Sequence, residues 1–484
     1  MNQNELEKYL WGAAIILRGK IDAGDYKQFI FPLLFYKRIC DVYDEEYANA
    51  IIDSKGDKDY AAFKENHTFQ VPINAHWKKI REVTVNVGAA LQSAMNSIEK
   101  ANQNTLMGIF GGVSWTNKDR LSDETLINII EHFSKHKLNL SNIPEDQLGN
   151  AYEYLIKQFA DDSGHTAAEF YTNRTLVKLM TLIMNPQPNE NIYDPTCGSG
   201  GLLLNCALHL KEEGKEYRSL KLYGQEINLI TSSIARMNMF LHGVEEFKIV
   251  RGDTLANPSL IKKDELMKFD IVLANPPYSI KSWSQKKFIN DQYGRNIWGT
   301  PPQGCADYAF QQHIQKSLKL DTGRSITLWP HGVLFRDSET KMRRKMIEDD
   351  LVECVINLGP NLFYNSSMDS CLLITKNKKP NNRKNKILFI EASKEIRKEK
   401  TMSYLDSNHI ERINSAYSNF KNESDFSTVV NKKEVLKDQN ARLNVQLYVK
   451  KNKKENENFN ELFNDWKQNS DLLNKSIEEI LKKY

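Results

Sequence analysis

An α/β chain with a doubly wound sheet, an all-α N-terminal domain and a helical C-terminal tail is what this sequence predicts. Three observations carry that expectation. Between about residues 165 and 390, short β-prone runs alternate with helical stretches: NIYD, GLLLNCALHLKEE, KLYGQEI, LITSSIARMNMFLHG, FKIVRGD and FDIVLAN. That βαβα rhythm belongs to a doubly wound sheet, whose ligands bind at the C-terminal ends of the strands. Before it, residues 1–150 have helical periodicity, and after about 400 the chain is helical in pattern and highly charged. The expected units are therefore 1–150, 151–400 and 401–484.

Composition narrows the class. The 484 residues are 40% hydrophobic and 26% charged, an ordinary soluble balance with length for a large core and, as a soft prior, about three domains. No run approaches the roughly 18 apolar residues of a membrane span. The opening MNQNELEKYL lacks the basic-then-apolar layout of a secretory signal. Six scattered cysteines form no Cys-x-x-Cys pair, which argues against a zinc module or a disulfide framework and for a reducing compartment. The expected location is cytoplasmic, with no membrane partner. Net charge is only +4, too little to indicate nucleic acid. Lys376 to Lys386, KNKKPNNRKNK, holds six basic residues and no acidic one. It reads equally as a segment lying along phosphates or as a solvated hairpin loop between two strands.

In the N-terminal region, FIFPLLFYKRICDVYDEEY places Phe29, Leu33, Tyr36 and Cys40 on one helical face. Pro32 is expected to start or kink that helix. SDETLINIIEHF begins at Ser122, with Asp123 and Glu124 in the first turn, where the helix dipole favours them. His132 and His136 stand one turn apart, but no acidic or cysteine partner follows in a ligand pattern, so no metal site is expected. At the far end, Phe459, Leu462, Phe463 and Trp466 share a face, as do Leu473, Ile477, Ile480 and Leu481. This amphipathic tail either folds back on its own chain or docks on a partner's helices.

Chemistry concentrates at the strand ends. In YDPTCGSGGLLL a strand closes at Asp194, and Gly198, Ser199, Gly200 and Gly201 lead into a helix, so a ligand can approach the backbone closely. The spacing is not Gly-x-Gly-x-x-Gly, and the next acidic strand end, Glu226, lies farther on than the roughly 20 residues of a dinucleotide fold. Glu226 can accept ribose hydroxyls or simply cap the next helix. Asp253 in RGDT can accept an amine proton from an adenine ring or simply close a turn.

The most specific stretch is DIVLANPPYSI, where an apolar strand stops at Asn275, Pro276, Pro277 and Tyr278. An exocyclic amine on adenine is a poor nucleophile because its lone pair is delocalised into the ring. Two acceptors aimed at its hydrogens draw the nitrogen toward a tetrahedral shape. The Asn275 side-chain oxygen and the Pro276 carbonyl are suited to that, and the two prolines stiffen the turn that aims them. Tyr278 can stack on the base and tolerate a cationic sulfonium. This chemistry requires no metal.

With these residues the chain resembles the modification (M) subunits of type I restriction-modification systems. These are adenine-N6 DNA methyltransferases that use S-adenosylmethionine on a Rossmann-like core. The resemblance spans roughly residues 5 to 450. It includes WGAAIILRGKIDAGDYKQFIFPLLFYKRICD and the lead-in from Glu145 to Met180, then DPTCGSGG, GQEIN, GDT and NPPY in order. CADYAFQQHI (Cys305 to Ile314) and LWPHGVLFR (Leu328 to Arg336) complete it. It implies that Glu169, Phe170, Tyr171, Thr172, Asn173 and Arg174 surround the methionine end of the cofactor, with Asp194, Thr196, Gly198, Ser199, Gly200 and Gly201. Glu226, with Ile227 beside it, would hold the ribose. Asp253 would meet the adenine ring, and Asn275 would border the cofactor as well as the target. Asn173 stands where the family often has Pro, and Asn365-Ser366 where Gly-Thr is more usual.

The resemblance also implies base flipping, since a stacked adenine cannot reach Asn275. A second aromatic on the opposite face of the base is expected, with Phe335 as candidate; the alternative for Phe335 is a core position. No Gly-x-x-x-x-Gly-Lys-Ser/Thr is present, so ATP-driven translocation is not expected of this chain. No second variable domain follows the catalytic one to read sequence. The implied partners are double-stranded DNA, a specificity (S) subunit docked on the tail past Asn458, a second M subunit and a restriction (R) subunit. Two other readings stay open on the residues alone: a protein-glutamine N5-methyltransferase and a non-catalytic DNA- and partner-binding scaffold. A nicotinamide dehydrogenase is disfavoured by the glycine spacing.

Overall fold

Nine strands form one sheet at the centre of the computed structural model, which describes residues 1–162, 172–362, 369–399, 402–449, 463 and 466–470. They are β1 (Asn191–Asp194), β2 (Lys221–Glu226), β3 (Phe247–Arg251), β4 (Ile271–Ala274), β5 (Arg324–Pro330), β6 (Val352–Leu358), β7 (Ser370–Lys376), β8 (Lys386–Ala392) and β9 (Ser427–Asn431). Their order across the sheet is β9-β8-β6-β7-β5-β4-β1-β2-β3. β3, β2, β1, β4 and β5 run parallel, as do β6 and β8. β7 is antiparallel to both neighbours, and β9 is antiparallel to β8. The α/β, doubly wound architecture expected from the alternating pattern is the one observed.

The strands are apolar on both faces because helices cover both. In β4, Ile271 and Leu273 enter one layer while Val272 and Ala274 enter the other, the composition of a central parallel strand. The strand stops where Pro276 and Pro277 remove two backbone donors from the ladder. Strand order reverses between β1 and β4, whose register sets Ile192 beside Ile271 and Tyr193 beside Val272. The C-terminal ends of these two strands therefore open the crevice that such a sheet offers to ligands.

The N-terminal region is helical. Ser122 caps Asp123–Ser134 by accepting the Thr125 N–H at 3.2 Å. Tyr26–Asp53 starts before Pro32, so the proline lies inside the helix rather than at its start. Residues 28–40 are buried all round, not on one face, because this helix is the centre of its bundle. Arg38 there donates to the Ile143 carbonyl at 2.8 Å, and Lys37 pairs with Asp41. His132 is held by the Tyr9 carbonyl at 2.7 Å and stacks on the Tyr9 ring.

The bundle and the sheet share elements. Helix Leu229–Leu241 gives Ile234, Met237 and Leu241 to the bundle core, and Ala235 and Met239 to the sheet. Arg236 ties it to the bundle through the Met107 and Thr105 carbonyls at 2.8 and 2.7 Å. Helix Glu145–Asp162 straddles the boundary expected at 150 and packs Leu148, Tyr152 and Leu155 into the bundle.

The far side differs from expectation. The segment expected to be a helical tail from 401 contains β9, an edge strand of the main sheet, and helix Ser407–Asn419, whose Ile410 and Ile413 pack on the sheet. A five-residue strand followed by Lys432-Lys433-Glu434 leaves little periodicity to read. Most of the amphipathic tail, Phe459, Leu462 and the Leu473–Leu481 face included, lies outside the described residues; Phe463 and Trp466 are exposed. Asn365 and Ser366 also lie outside them.

The basic run departs from one of the two expectations. It is not a hairpin loop, because β6 lies between the strands it joins. It also sits at the wrong end of the sheet for catalysis. Lys376 pairs with Arg324, the first residue of β5, at the edge opposite Asn275. Lys379 is buried against Asp350 at 2.8 Å, and Arg383 donates to the Ser418 carbonyl at 2.8 Å and covers the Phe420 ring. Lys379 and Arg383 are thus held by their own chain, while Lys378, Lys384 and Lys386 are exposed.

Candidate active site

The glycine loop is built by backbone freedom that only glycine supplies cheaply. Gly198 and Gly200 have φ of 53° and 81°, and a Cβ on Gly200 would come within 2.9 Å of Met239. The Gly198 N–H donates to Glu226 Oε2 at 3.1 Å, and Oε1 of the same carboxylate accepts the Asn228 N–H at 2.8 Å. Glu226 thus fastens the loop after β1 to the start of the helix after β2. The Ser199 carbonyl accepts from Asn238 at 3.1 Å.

Asp194 ends β1 at 1% exposure, its Oδ1 accepting the Thr196 N–H at 2.9 Å. Burial pushes its carboxyl up to about 8; the Thr196 hydrogen bond opposes that shift and the nearby Glu226 adds to it. A cationic ligand beside Asp194 would relieve this. Because the folded-state value is raised, the native chain keeps a proton that the unfolded chain has lost, and stability falls as pH climbs from about 4 to about 8. Asp194→Asn should therefore lose less stability between pH 5 and 8 than the parent chain, in urea melts without ligand. Identical slopes would show that Asp194 is charged throughout.

A cleft opens at the switch point, with about 630 Å³ of empty space when the solvent at its mouth is included. It brings together Thr172, Arg174, Asp194, Thr196, Gly198, Ser199, Gly201 and Asn275 from among the residues expected at the site. It also takes in Glu153, Ile156, Val177, Cys197, Leu202 and Asn205, which sequence reasoning missed. Glu153 pairs with Arg174 across the cavity wall. It is the acidic residue flanking the buried stripe of helix Glu145–Asp162, which was the available signal. Asn205 lies one turn after Gly201 on the helix that the loop begins.

Other expected residues stand elsewhere. The Asn173 side chain is held by its own chain: at 3% exposure it caps helix Arg174–Met184 through the Thr175 N–H at 3.0 Å, and its amide donates to the Ser403 carbonyl at 2.9 Å. A side chain committed at both ends offers nothing to a ligand. Glu226 and Ile227 are at the end of β2, outside the cavity lining, with Ile227 62% exposed. Asp253 Oδ1 caps a turn through the Leu255 and Ala256 N–H groups at 2.9 and 3.0 Å. Buried Arg295 supports that turn through the Thr254 and Leu255 carbonyls. Glu169, Phe170 and Tyr171 lie outside the described residues.

At the end of β4, the Asn275 amide donates to Thr172 Oγ1 at 3.1 Å, and its Oδ1 accepts from the Tyr278 hydroxyl. The Tyr278 ring stands 6.3 Å from the Trp329 ring. Phe335 is 42% exposed and so is not a core residue.

Residues 144–457 match the N-6 DNA Methylase family, and residues 6–133 match the HsdM N-terminal domain. The chain belongs to the methylase subunits of type I restriction enzymes. It is 30% identical to the type I restriction enzyme MjaVII methylase subunit of Methanocaldococcus jannaschii, over 88% of this chain and 74% of the relative. With the MpnII methylase subunit of Mycoplasma pneumoniae it shares 29% identity over 99% of this chain and 94% of the relative. Among solved structures, a type I restriction-modification system methyltransferase subunit from Streptococcus thermophilus superposes with a TM-score of 0.80 at 29% identity, covering 93% of this chain and all of that one. The chain is thus an adenine-specific DNA methyltransferase. The glutamine-methyltransferase and scaffold readings are set aside. The family implies S-adenosylmethionine as donor, and a buried carboxylate beside a positive-φ glycine loop fits a cationic, backbone-hugging ligand. Among the described residues no helix is long and apolar enough to cross a membrane.

Proposed function

We propose that this chain methylates N6 of an adenine rotated out of duplex DNA, using S-adenosylmethionine, at sites chosen by a separate specificity subunit. The observation that carries the reading is the convergence of Asp194 and Asn275 in one cavity at the sheet's switch point. The donor, when bound, supplies an electrophilic methyl group on a cationic sulfonium. Asp194 complements positive charge at the methionine end, and Arg174 complements its carboxylate. Thr172, Thr196 and the loop Gly198 to Gly201 line the same end. Glu226 offers carboxylate oxygens to ribose hydroxyls, Ile227 lends an exposed apolar face beside it, and Asp253 accepts from the adenine amine.

On the target side, Asn275 Oδ1 and the Pro276 carbonyl accept the two amine hydrogens, and Pro277 stiffens the turn that aims them. Asn275 Oδ1 is held by the Tyr278 hydroxyl in the free chain, so Tyr278 releases it as the amine arrives and turns its face to the base. Extrusion costs a few kcal/mol, offset by stacking on Tyr278 and on the exposed Phe335 from the other side. The relatives' designation as methylase subunits supports assembly with a specificity subunit, a second methylase subunit and a restriction subunit. The C-terminal tail is the proposed dock for the specificity subunit. Tritiated methyl transfer to duplex DNA tests this in three arms: the chain alone, the chain with its specificity subunit, and that pair with residues 455–484 removed. Activity in the second arm only is expected. Equal activity in the first arm would place target choice within this chain, and equal activity in the third would refute the docking role.

A further inference from the structure

Of two motifs, CADYAFQQHI (Cys305 to Ile314) and LWPHGVLFR (Leu328 to Arg336), only Phe335 has a part in the chemistry above. The fold brings both against the exit of the catalytic turn. Asp307 is fully buried; its Oδ1 accepts the Ser279 backbone N–H at 2.8 Å, and its Oδ2 accepts from Arg336 Nη2 at 2.8 Å. Ser279 directly follows Tyr278 and holds φ at 50°, a left-handed conformation that a residue with a Cβ keeps only when its surroundings enforce it. The enforcing contact is a charge-assisted bond to one buried carboxylate. Trp329, from the second motif, backs the Tyr278 ring and donates from Nε1 to Gln311 of the first motif at 3.0 Å.

Cys305, Asp307 and Glu339 have ligand atoms within 4.8 Å of one another, a spacing that resembles a metal site. The cation among them is already present: Arg336 bonds Asp307, Glu339 at 3.1 Å, and Cys305. The cluster is therefore an arginine-centred joint between the turn after β4 and the turn after β5.

We infer that Asp307 and Arg336 are a positioning pair for methyl transfer. Asp307 holds the Ser279 peptide so that Asn275 Oδ1 and the Pro276 carbonyl aim at one point, and Arg336 supplies the countercharge that lets a carboxylate do this in a buried place. The inference rests on reading Asn275 to Tyr278 as the amine-accepting turn. Neither residue lines the donor cavity, so the pair acts on the turnover step and not on donor affinity.

The test uses the full chain assembled with its specificity subunit on target duplex. It measures kcat, KM for S-adenosylmethionine, DNA affinity and melting temperature. Asp307→Ala should lower kcat by about 10²-fold, the scale of a small misplacement of reacting groups, with donor KM and DNA affinity within about threefold. Asp307→Asn keeps an acceptor for Ser279 and should recover part of kcat. The Asp307→Ala, Arg336→Ala double variant keeps the test sound if the single variant folds poorly. Burial already pushes Glu339 up to about 7, so it takes a proton once Arg336 is gone, and no unpaired charge stays buried. The double variant should regain stability but not kcat. A kcat for Asp307→Ala within twofold of the parent, or a kcat that returns with stability in the double variant, would reduce the pair to a structural ion bridge. Asn275→Ala in the same assay separates the two levels. If it leaves transfer intact, the turn itself has been misassigned; if it abolishes transfer while Asp307→Ala does not, only the positioning role falls.

Discussion

Asn275→Ala lowers methyl transfer by about 10³-fold and leaves S-adenosylmethionine affinity within about twofold. In the proposed function, Asn275 Oδ1 meets the target amine as its nitrogen gains tetrahedral character and its hydrogens gain charge, an interaction that matters most at the transition state. Removing one preorganised hydrogen-bonding group of this kind costs roughly 10²–10³ in kcat in well-studied sites, and the Asn275 amide is oriented by its bond to Thr172 Oγ1. Donor affinity is spared because Asn275 is one lining residue among many in the cavity. Single-turnover transfer and calorimetric donor binding on the same preparation check both halves. Equal loss in the two assays would make Asn275 a structural residue. Tyr278→Phe is the contrasting variant. It keeps the stacking face and deletes the hydroxyl that holds Asn275 Oδ1, so its transfer rate should stay within a few-fold of the parent.

Glu226→Ala does the reverse and weakens donor binding by about 10- to 100-fold before kcat at saturating donor changes. Two losses combine. The carboxylate no longer offers acceptors to the ribose, and the Gly198 and Asn228 N–H groups lose the bridge that fastens the glycine loop to the helix after β2. Hydrogen bonds to a charged group contribute about 1.5–3 kcal/mol each, which sets the range. Glu226→Gln keeps a side-chain oxygen for one of those donors and should fall between. Calorimetry with S-adenosylmethionine measures the affinities. Unchanged donor affinity in Glu226→Ala would confine Glu226 to its loop-bridging role and remove it from the cofactor site.

The parts of this site legible in the sequence are those written in contiguous residues. DIVLANPPYSI states a buried strand and its abrupt end, because an apolar run and two prolines act locally. DPTCGSGG states a tight backbone turn, because positive φ at Gly198 and Gly200 is a local demand. What stayed hidden depends on distant partners. Asp307 and Arg336 are ordinary charged residues until the fold joins them to Ser279. Glu153 belongs to a helix packed into the N-terminal bundle and joins the cavity lining beside its ion-pair partner Arg174 from the next helix. The role of the Asn173 side chain is hidden for a related reason. Its position beside the cavity is sequence-local, but the Ser403 carbonyl that occupies its amide comes from far along the chain. For the basic run, charge composition carries no information about which end of a sheet it occupies, and register alone places Lys376 beside Arg324.

The turn from Asn275 to Tyr278 is proposed to receive an extruded adenine. A structure of the chain with its specificity subunit, target duplex and a non-reactive analogue of S-adenosylmethionine tests this. The expected result has the target base out of the helix, its N6 within hydrogen-bonding distance of Asn275 Oδ1 and the Pro276 carbonyl, and the Tyr278 hydroxyl released from Asn275. A target adenine still stacked in the duplex, or one held elsewhere while Tyr278 keeps its bond to Asn275, would contradict it.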